Sequence, residues 1–135
     1  MKRFATLLIA LVPALASCGT GTVVGPLRIE IDIHYSHYVQ SAISVPAGRA
    51  VTFILRNQDP IDHEWIVGDA ALHERHRTGT ELRHDSRPTE VTIDAQTTRE
   101  TTVTFTSAAT LLFICHLPGH EAYGMVGTLT VTPAP

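Results

Sequence analysis

The stretch LRIEIDIH, residues 27–34, decides how the rest of the chain is read. Leu27, Ile29, Ile31 and Ile33 alternate with Arg28, Glu30, Asp32 and His34. A period of two sends successive side chains to opposite faces of a strand, so one face is apolar and buried. Outward along the chain the same grammar recurs. Val39 to Val45 is stopped by Pro46-Ala47-Gly48, and Ala50 to Leu55 by the turn-prone Asn57-Gln58-Asp59-Pro60. His63 to Val67 is closed by Gly68, and Glu90 to Ile93, Glu100 to Thr106, Leu111 to Cys115 and Gly127 to Val131 complete the set. About eight short strands rich in Val, Ile and Thr between Gly/Pro turns predict an all-β, antiparallel β-sandwich. If His63 points into the sandwich, Trp65 does too, while Glu64 faces out.

One segment departs from this pattern. Asp69 to Thr78 carries an N-cap at Asp69, helix formers at Ala70, Ala71 and Leu72, and a stop at Gly79. It predicts one short helix inside a long connection that runs to Pro88.

Ahead of residue 27 the character changes. Lys2 and Arg3 precede Phe4 to Ala16, an almost wholly apolar stretch too short to span a bilayer as a stable helix. It fits the apolar region of a secretory signal. The Leu15-Ala16-Ser17-Cys18 run that ends it resembles the lipobox of bacterial lipoproteins, in which cleavage precedes the cysteine and its thiol is acylated. The expected organisation is a signal peptide over 1–17, a tether over 18–26 and one domain over 27–133. Cys18 then anchors an exported protein to a membrane of the cell envelope, on the periplasmic side or on the outer face of the cytoplasmic membrane.

Removal of residues 1–17 leaves 118 residues with eight basic and thirteen acidic side chains, a net charge of −5 with His neutral. No basic cluster remains to attract a phosphate backbone, so nucleic acid is excluded as the expected partner. With Cys18 acylated, Cys115 has no partner within the chain. A lone thiol in an oxidising compartment is a hazard unless it is buried or ligated.

The surroundings of Cys115 favour ligation. In FICHLPGHEAYGM, residues 113–125, a thiol, two imidazoles and a thioether flank a Pro118-Gly119 turn directly after an apolar run. The turn can bring His120 back towards Cys115, and Gly124 allows a second bend before Met125. Copper accepts all three donor types, and a trigonal His₂Cys set with a long axial Met is its blue form. Zinc takes His₂Cys as well but prefers a harder fourth ligand than a thioether. A second imidazole is still needed. His116 is a weak candidate, because neighbours in an extended chain point apart. His63, at the head of a strand behind the Asn57–Pro60 turn, is a better one.

The Cys115-x4-His120-x4-Met125 pattern, with Pro118-Gly119 and Gly124 inside it, resembles the C-terminal copper loop of the cupredoxins. Asn57 together with His63-Glu64 resembles the first-ligand region of their plastocyanin-like members. The resemblance implies a Greek-key sandwich holding one copper ion on His63, Cys115, His120 and Met125, cycling between Cu(I) and Cu(II) to carry electrons. It makes Cys115 the thiolate ligand, His63 and His120 the equatorial imidazoles and Met125 the weak axial donor. It also places His120 nearest solvent as the electron port, ringed by Leu117 and Pro118, where redox partner proteins dock on a monomer. Two features depart from the family pattern. Glu64 stands where plastocyanins have Asn, and the connection from Gly68 to Pro88 is longer than in minimal members.

Two rival functions remain open in the sequence. The same ligands could hold Cu(I) for copper trafficking or resistance, or the sandwich could be a metal-free scaffold. His73 and His76 share a helix face and His84 follows. These three read either as a solvated polar helix, with Glu74, Arg75 and Arg77 around them, or as a second, weaker copper site. No nucleophile or paired-carboxylate motif suggests an enzyme.

Overall fold

The computed structural model describes residues 25–134; the expected signal peptide and the expected lipid anchor at Cys18 lie outside the described residues. The strands are β1 (Leu27–His34), β2 (His37–Tyr38), β3 (Ala42–Pro46), β4 (Ala50–Asn57), β5 (His63–Gly68), β6 (Glu90–Ile93), β7 (Thr98–Thr104), β8 (Ala109–Ile114) and β9 (Val126–Thr132). The one helix, α1, spans Ala70–Thr78. Its N-cap is Asp69, whose carboxylate accepts from the Leu72 N–H, and Gly79 ends it.

The strands form two sheets, ordered β2-β1-β4-β7 and β3-β9-β8-β5-β6. The expected sandwich is present, but it is not purely antiparallel. β1 pairs with β4 in parallel, and so does β3 with β9. Alternation along a strand is the same whichever way its neighbour runs, so the local pattern held no information about direction. The expected strand over Val39–Val45 is shortened to β3, which pairs with β9, and the two-residue β2 that pairs with β1 in the other sheet precedes it at His37–Tyr38.

The inner faces meet in a core of Ile31, Ile33, Phe53, Leu55, Trp65, Ile93, Phe113 and Leu129, all without solvent exposure. Each such side chain contributes about 1.5–3 kcal/mol of transfer free energy, which makes the two sheets a rigid frame. Every residue of β5 and β6 is buried. His63, Trp65 and Val67 face the core, as does the Val91/Ile93 pair, whereas Glu64, Ile66, Glu90 and Thr92 take the opposite face. That outer face lies beneath α1 and the connection after it. Glu64, expected to face solvent, is therefore only 2% exposed.

Candidate metal centre

The centre sits where β5 begins and β8 ends. β5 and β8 run antiparallel with Ile66 opposite Ile114, so the head of β5 passes the residues just beyond β8. His63 and Cys115 meet there, both without solvent exposure. After Cys115 the chain turns back through Gly119 and Gly124, whose φ angles of +86° and +93° lie in the region glycine favours. The loop closes on itself: His120 N–H donates to Leu117 O, Met125 N–H to His120 O and Cys115 N–H to Met125 O. His120 is thereby brought back beside Cys115, half-buried, while Met125 is fully buried and its carbonyl takes the Cys115 N–H.

Nδ1 of His63 lies 3.3 Å from Nδ1 of His120, which in turn lies 3.1 Å from Cys115 Sγ. One ligand atom from each of the three falls within 4.8 Å of the others. His116, rejected in the sequence as a ligand, does turn away.

A residue the sequence reading passed over orients the first histidine. Asp59 Oδ2 lies 2.9 Å from His63 Nε2. The ring donates there, so its proton sits on Nε2 and the Nδ1 lone pair faces His120 Nδ1, 3.3 Å away. Asp59 also accepts from the Tyr35 and Ser36 N–H groups at 2.8 and 2.7 Å. Those two residues form the β1–β2 turn with φ of +51° and +54°, so one carboxylate holds both a left-handed turn and a metal-facing imidazole. Burial pushes the Asp59 carboxyl up, but the Ser36, Tyr35 and His63 hydrogen bonds bring it below its ordinary value. Its position four residues before His63, inside the Asn57–Pro60 turn, was the available signal.

Glu64 serves the sulfur side. Its backbone N–H points at Cys115 Sγ at 3.3 Å, and its carboxylate accepts the His116 N–H at 3.2 Å. Both contacts come from the residue directly after His63, where the resemblance to plastocyanins predicts an Asn. Burial drives the free Cys115 thiol up to about 12 against the pull of the Glu64 and Leu117 N–H groups. Burial also lowers His63 and His120 below the ordinary imidazole value. Two imidazoles kept neutral around a thiol that ionises only beside a cation form a donor set suited to a soft or borderline metal. A buried thioether at Met125, whose backbone closes the loop onto Cys115, would as a further donor favour copper over zinc.

The helix histidines do not match a solvated helix. His73 is 1% exposed, and His84 is 6% exposed. His73 Nε2 faces Leu112 O at 3.2 Å and its Nδ1 faces His116 Nε2 at 2.9 Å, so these two imidazoles satisfy one another. His76 instead meets His84 and Glu90, and one ligand atom from each of these three also falls within 4.8 Å of the others.

Residues 27–132 match the family described as copper binding proteins, plastocyanin/azurin family. The chain is 32% identical over 138 residues to the copper-resistant cuproprotein CopI of Pseudomonas aeruginosa, covering 78% of this chain and 76% of that protein. It is also 32% identical over 111 residues to auracyanin-B of Chloroflexus aurantiacus, covering 71% of this chain and 47% of that protein. Among solved structures, auracyanin A of Chloroflexus aurantiacus, titled a "blue" copper protein, superposes with a TM-score of 0.63 at 26% identity over 80% of this chain and all of that one.

Proposed function

The chain belongs to the copper-binding plastocyanin/azurin family, and from that premise we propose that it carries electrons in the cell envelope through one type 1 copper held by His63, Cys115, His120 and Met125. The observation that carries this reading is the convergence of His63 Nδ1, His120 Nδ1 and Cys115 Sγ, with 3.3 and 3.1 Å between successive atoms. When bound, the copper supplies a one-electron couple between Cu(I) and Cu(II). The residues do the rest. Asp59 keeps the His63 lone pair on the metal side, and the Glu64 N–H stabilises negative charge on sulfur. The closed Cys115–Met125 loop, built on a rigid two-sheet frame, keeps the donors in place, so little rearrangement accompanies a change of charge. Burial of His63, Cys115 and Met125 keeps water out. The reading is of a carrier and not an enzyme.

His120 is the half-buried donor of the set and the proposed electron port. Tyr35 and Tyr123, 80% and 75% exposed, stand on the turn and the loop that frame this end, with Ile61 at 47%. A small apolar ring of this kind suits weak, transient docking of redox partners to a monomer. Export and anchoring through Cys18 complete the proposal.

A second reading, copper handling in resistance, draws support from the similarity to CopI. Titration of the protein with Cu(II) separates the two. An intense visible thiolate charge-transfer band and rapid electron exchange support the carrier. A colourless protein that takes up only Cu(I) and yields it to a competing chelator replaces that reading with the second.

A further inference from the structure

Beneath α1, three side chains aim ligand atoms at a common point that the centre above does not use. His76 Nε2 lies 3.6 Å from Glu90 Oε2, and His84 Nδ1 lies 3.9 Å from the same oxygen. All three side chains are at least nine-tenths buried, with exposures of 10%, 6% and 6%. Those gaps are longer than hydrogen bonds. Ligands each about 2.0 Å from one ion stand roughly 2.8 Å apart when adjacent and roughly 4.0 Å apart when opposite in the tetragonal set that divalent copper prefers, and the observed gaps fall between these limits.

The opposite atom of His76 and that of Glu90 are already engaged. His76 Nδ1 donates to Leu72 O at 2.9 Å, which places the ring proton there and leaves the Nε2 lone pair aimed at the carboxylate. Arg87 Nη1 holds Glu90 Oε1 at 2.9 Å, leaving Oε2 to face the imidazoles. Glu64 Oε1 backs His84 Nε2 at 3.6 Å. Partners on the far side of each ligand are how proteins orient donors toward a metal. His84 faces carboxylates from both ring nitrogens, Glu64 Oε1 at Nε2 and Glu81 and Glu90 at Nδ1, so a cation bound in place of its Nδ1 proton meets the same negative charge.

Access is built in as well. The cluster lines a cleft of about 390 Å³ bordered by Arg75, Glu81 and Arg87. Glu81, 75% exposed, brings Oε2 to 3.2 Å from His84 Nδ1 at the mouth and can serve as a fourth donor. The other two clustered histidines, His73 and His116, are occupied with each other and stay outside the set.

We propose that His76, His84 and Glu90 form a second metal site, distinct from the His63–Cys115–His120 centre, that binds a divalent copper ion. The donors are nitrogen and oxygen without sulfur, which disfavours Cu(I), and the stability order of divalent ions puts Cu²⁺ first at such a site. The two sites would share one residue. Glu64 gives its backbone N–H to Cys115 Sγ and presents its carboxylate to His84.

The test is a count. Purified protein is titrated with Cu(II) after the thiolate band has saturated, with metal analysis after dialysis and electron paramagnetic resonance on the same samples. The expected result is a rise from one to two Cu(II) per chain. The second ion should bring a resonance with nitrogen hyperfine structure and the wide copper splitting of a site without thiolate, and no new thiolate absorption. The His84→Ala and Glu90→Gln variants should return the count to one while retaining the thiolate band, which reports that the fold is intact. A wild-type count that stays at one overturns the proposal, as does a second ion that persists in both variants. A site that takes Zn(II) and keeps it against equimolar Cu(II) overturns the copper assignment. Failure of the thiolate band itself would count against the carrier reading, and the second-ion count is read independently of it.

Discussion

The two histidine clusters lie on opposite faces of one short strand, and they are built by different means. His63 at the head of β5 faces the end of the sandwich, where a loop closed by its own backbone hydrogen bonds brings sulfur and a second imidazole. Glu64, the next residue, faces the other way into a chamber roofed by α1, where carboxylates and imidazoles are held by Leu72, Arg87 and one another. One step along a strand therefore separates a sulfur-bearing site from an oxygen-bearing one. The comparison teaches that donor chemistry follows from what covers each face. A sandwich end closed by a Cys–Met loop offers soft donors, whereas a polar helix laid on a sheet offers borderline and hard ones.

The sharpest way to break the comparison is Cys115→Ser. Among the described residues it removes the one cysteine sulfur, so the thiolate charge-transfer absorption should vanish in the Cu(II)-loaded protein. Uptake of copper at His76, His84 and Glu90 should persist by equilibrium dialysis, and loss of both sites together would show that they are not separate. Next comes Asp59→Asn, which leaves every ligand in place but frees the His63 ring to turn. Copper affinity at the sulfur-bearing centre should fall roughly 10–100-fold, the scale of losing an orienting partner, as read by competition with a chelator. The outer site should be unaffected.

The third effect is acid sensitivity of the apoprotein. Burial lowers the His116 imidazole to about 4, and the same cause lowers His63, His73 and His120. Between that value and the ordinary 6.5, the unfolded chain binds protons that the folded chain refuses. Stability is therefore full above that interval and declines as the pH falls through it. The urea midpoint should drop over this range, and His116→Gln should flatten the slope; an unchanged slope would show that the chamber does not exclude charge. Raised by burial, the Glu64 carboxyl works in the opposite sense. The smallest effect is Met125→Leu. The thiolate band should remain while the reduction potential rises, because the copper loses a fourth donor and gains hydrocarbon around it, which favours the lower charge and lower coordination number of Cu(I). Voltammetry reads the shift, and an unchanged potential would remove Met125 from the ligand set.

Much of this was legible in residues 27–34 and 113–125. Strict alternation announced strands, and the β6 bounds, Glu90 to Ile93, emerge as expected. Asp69 and Gly79 bracketed the helix because capping chemistry is local. The meeting of His120 with Cys115 was also legible, since only a short loop separates them. What escaped was set by contacts distant in sequence. The parallel pairings of β1 with β4 and β3 with β9 depend on which sheet each connection enters. The Asp59–His63 bond and the burial of Glu64 depend on a turn and a helix that alternation does not mention.

The order of residues alone thus determined most of the elements and the inward or outward side of positions along them, and it set a thiol, an imidazole and a thioether in one short loop near the C-terminus, because these follow from backbone periodicity and turn chemistry within a few residues. Tertiary structure alone decided which outward face would be covered. Glu64 is buried because α1 and the following connection lie across β5 and β6, and His76 meets Glu90 for the same reason. Packing of a helix on a sheet is a property of the whole surface, and no short window of sequence carries it.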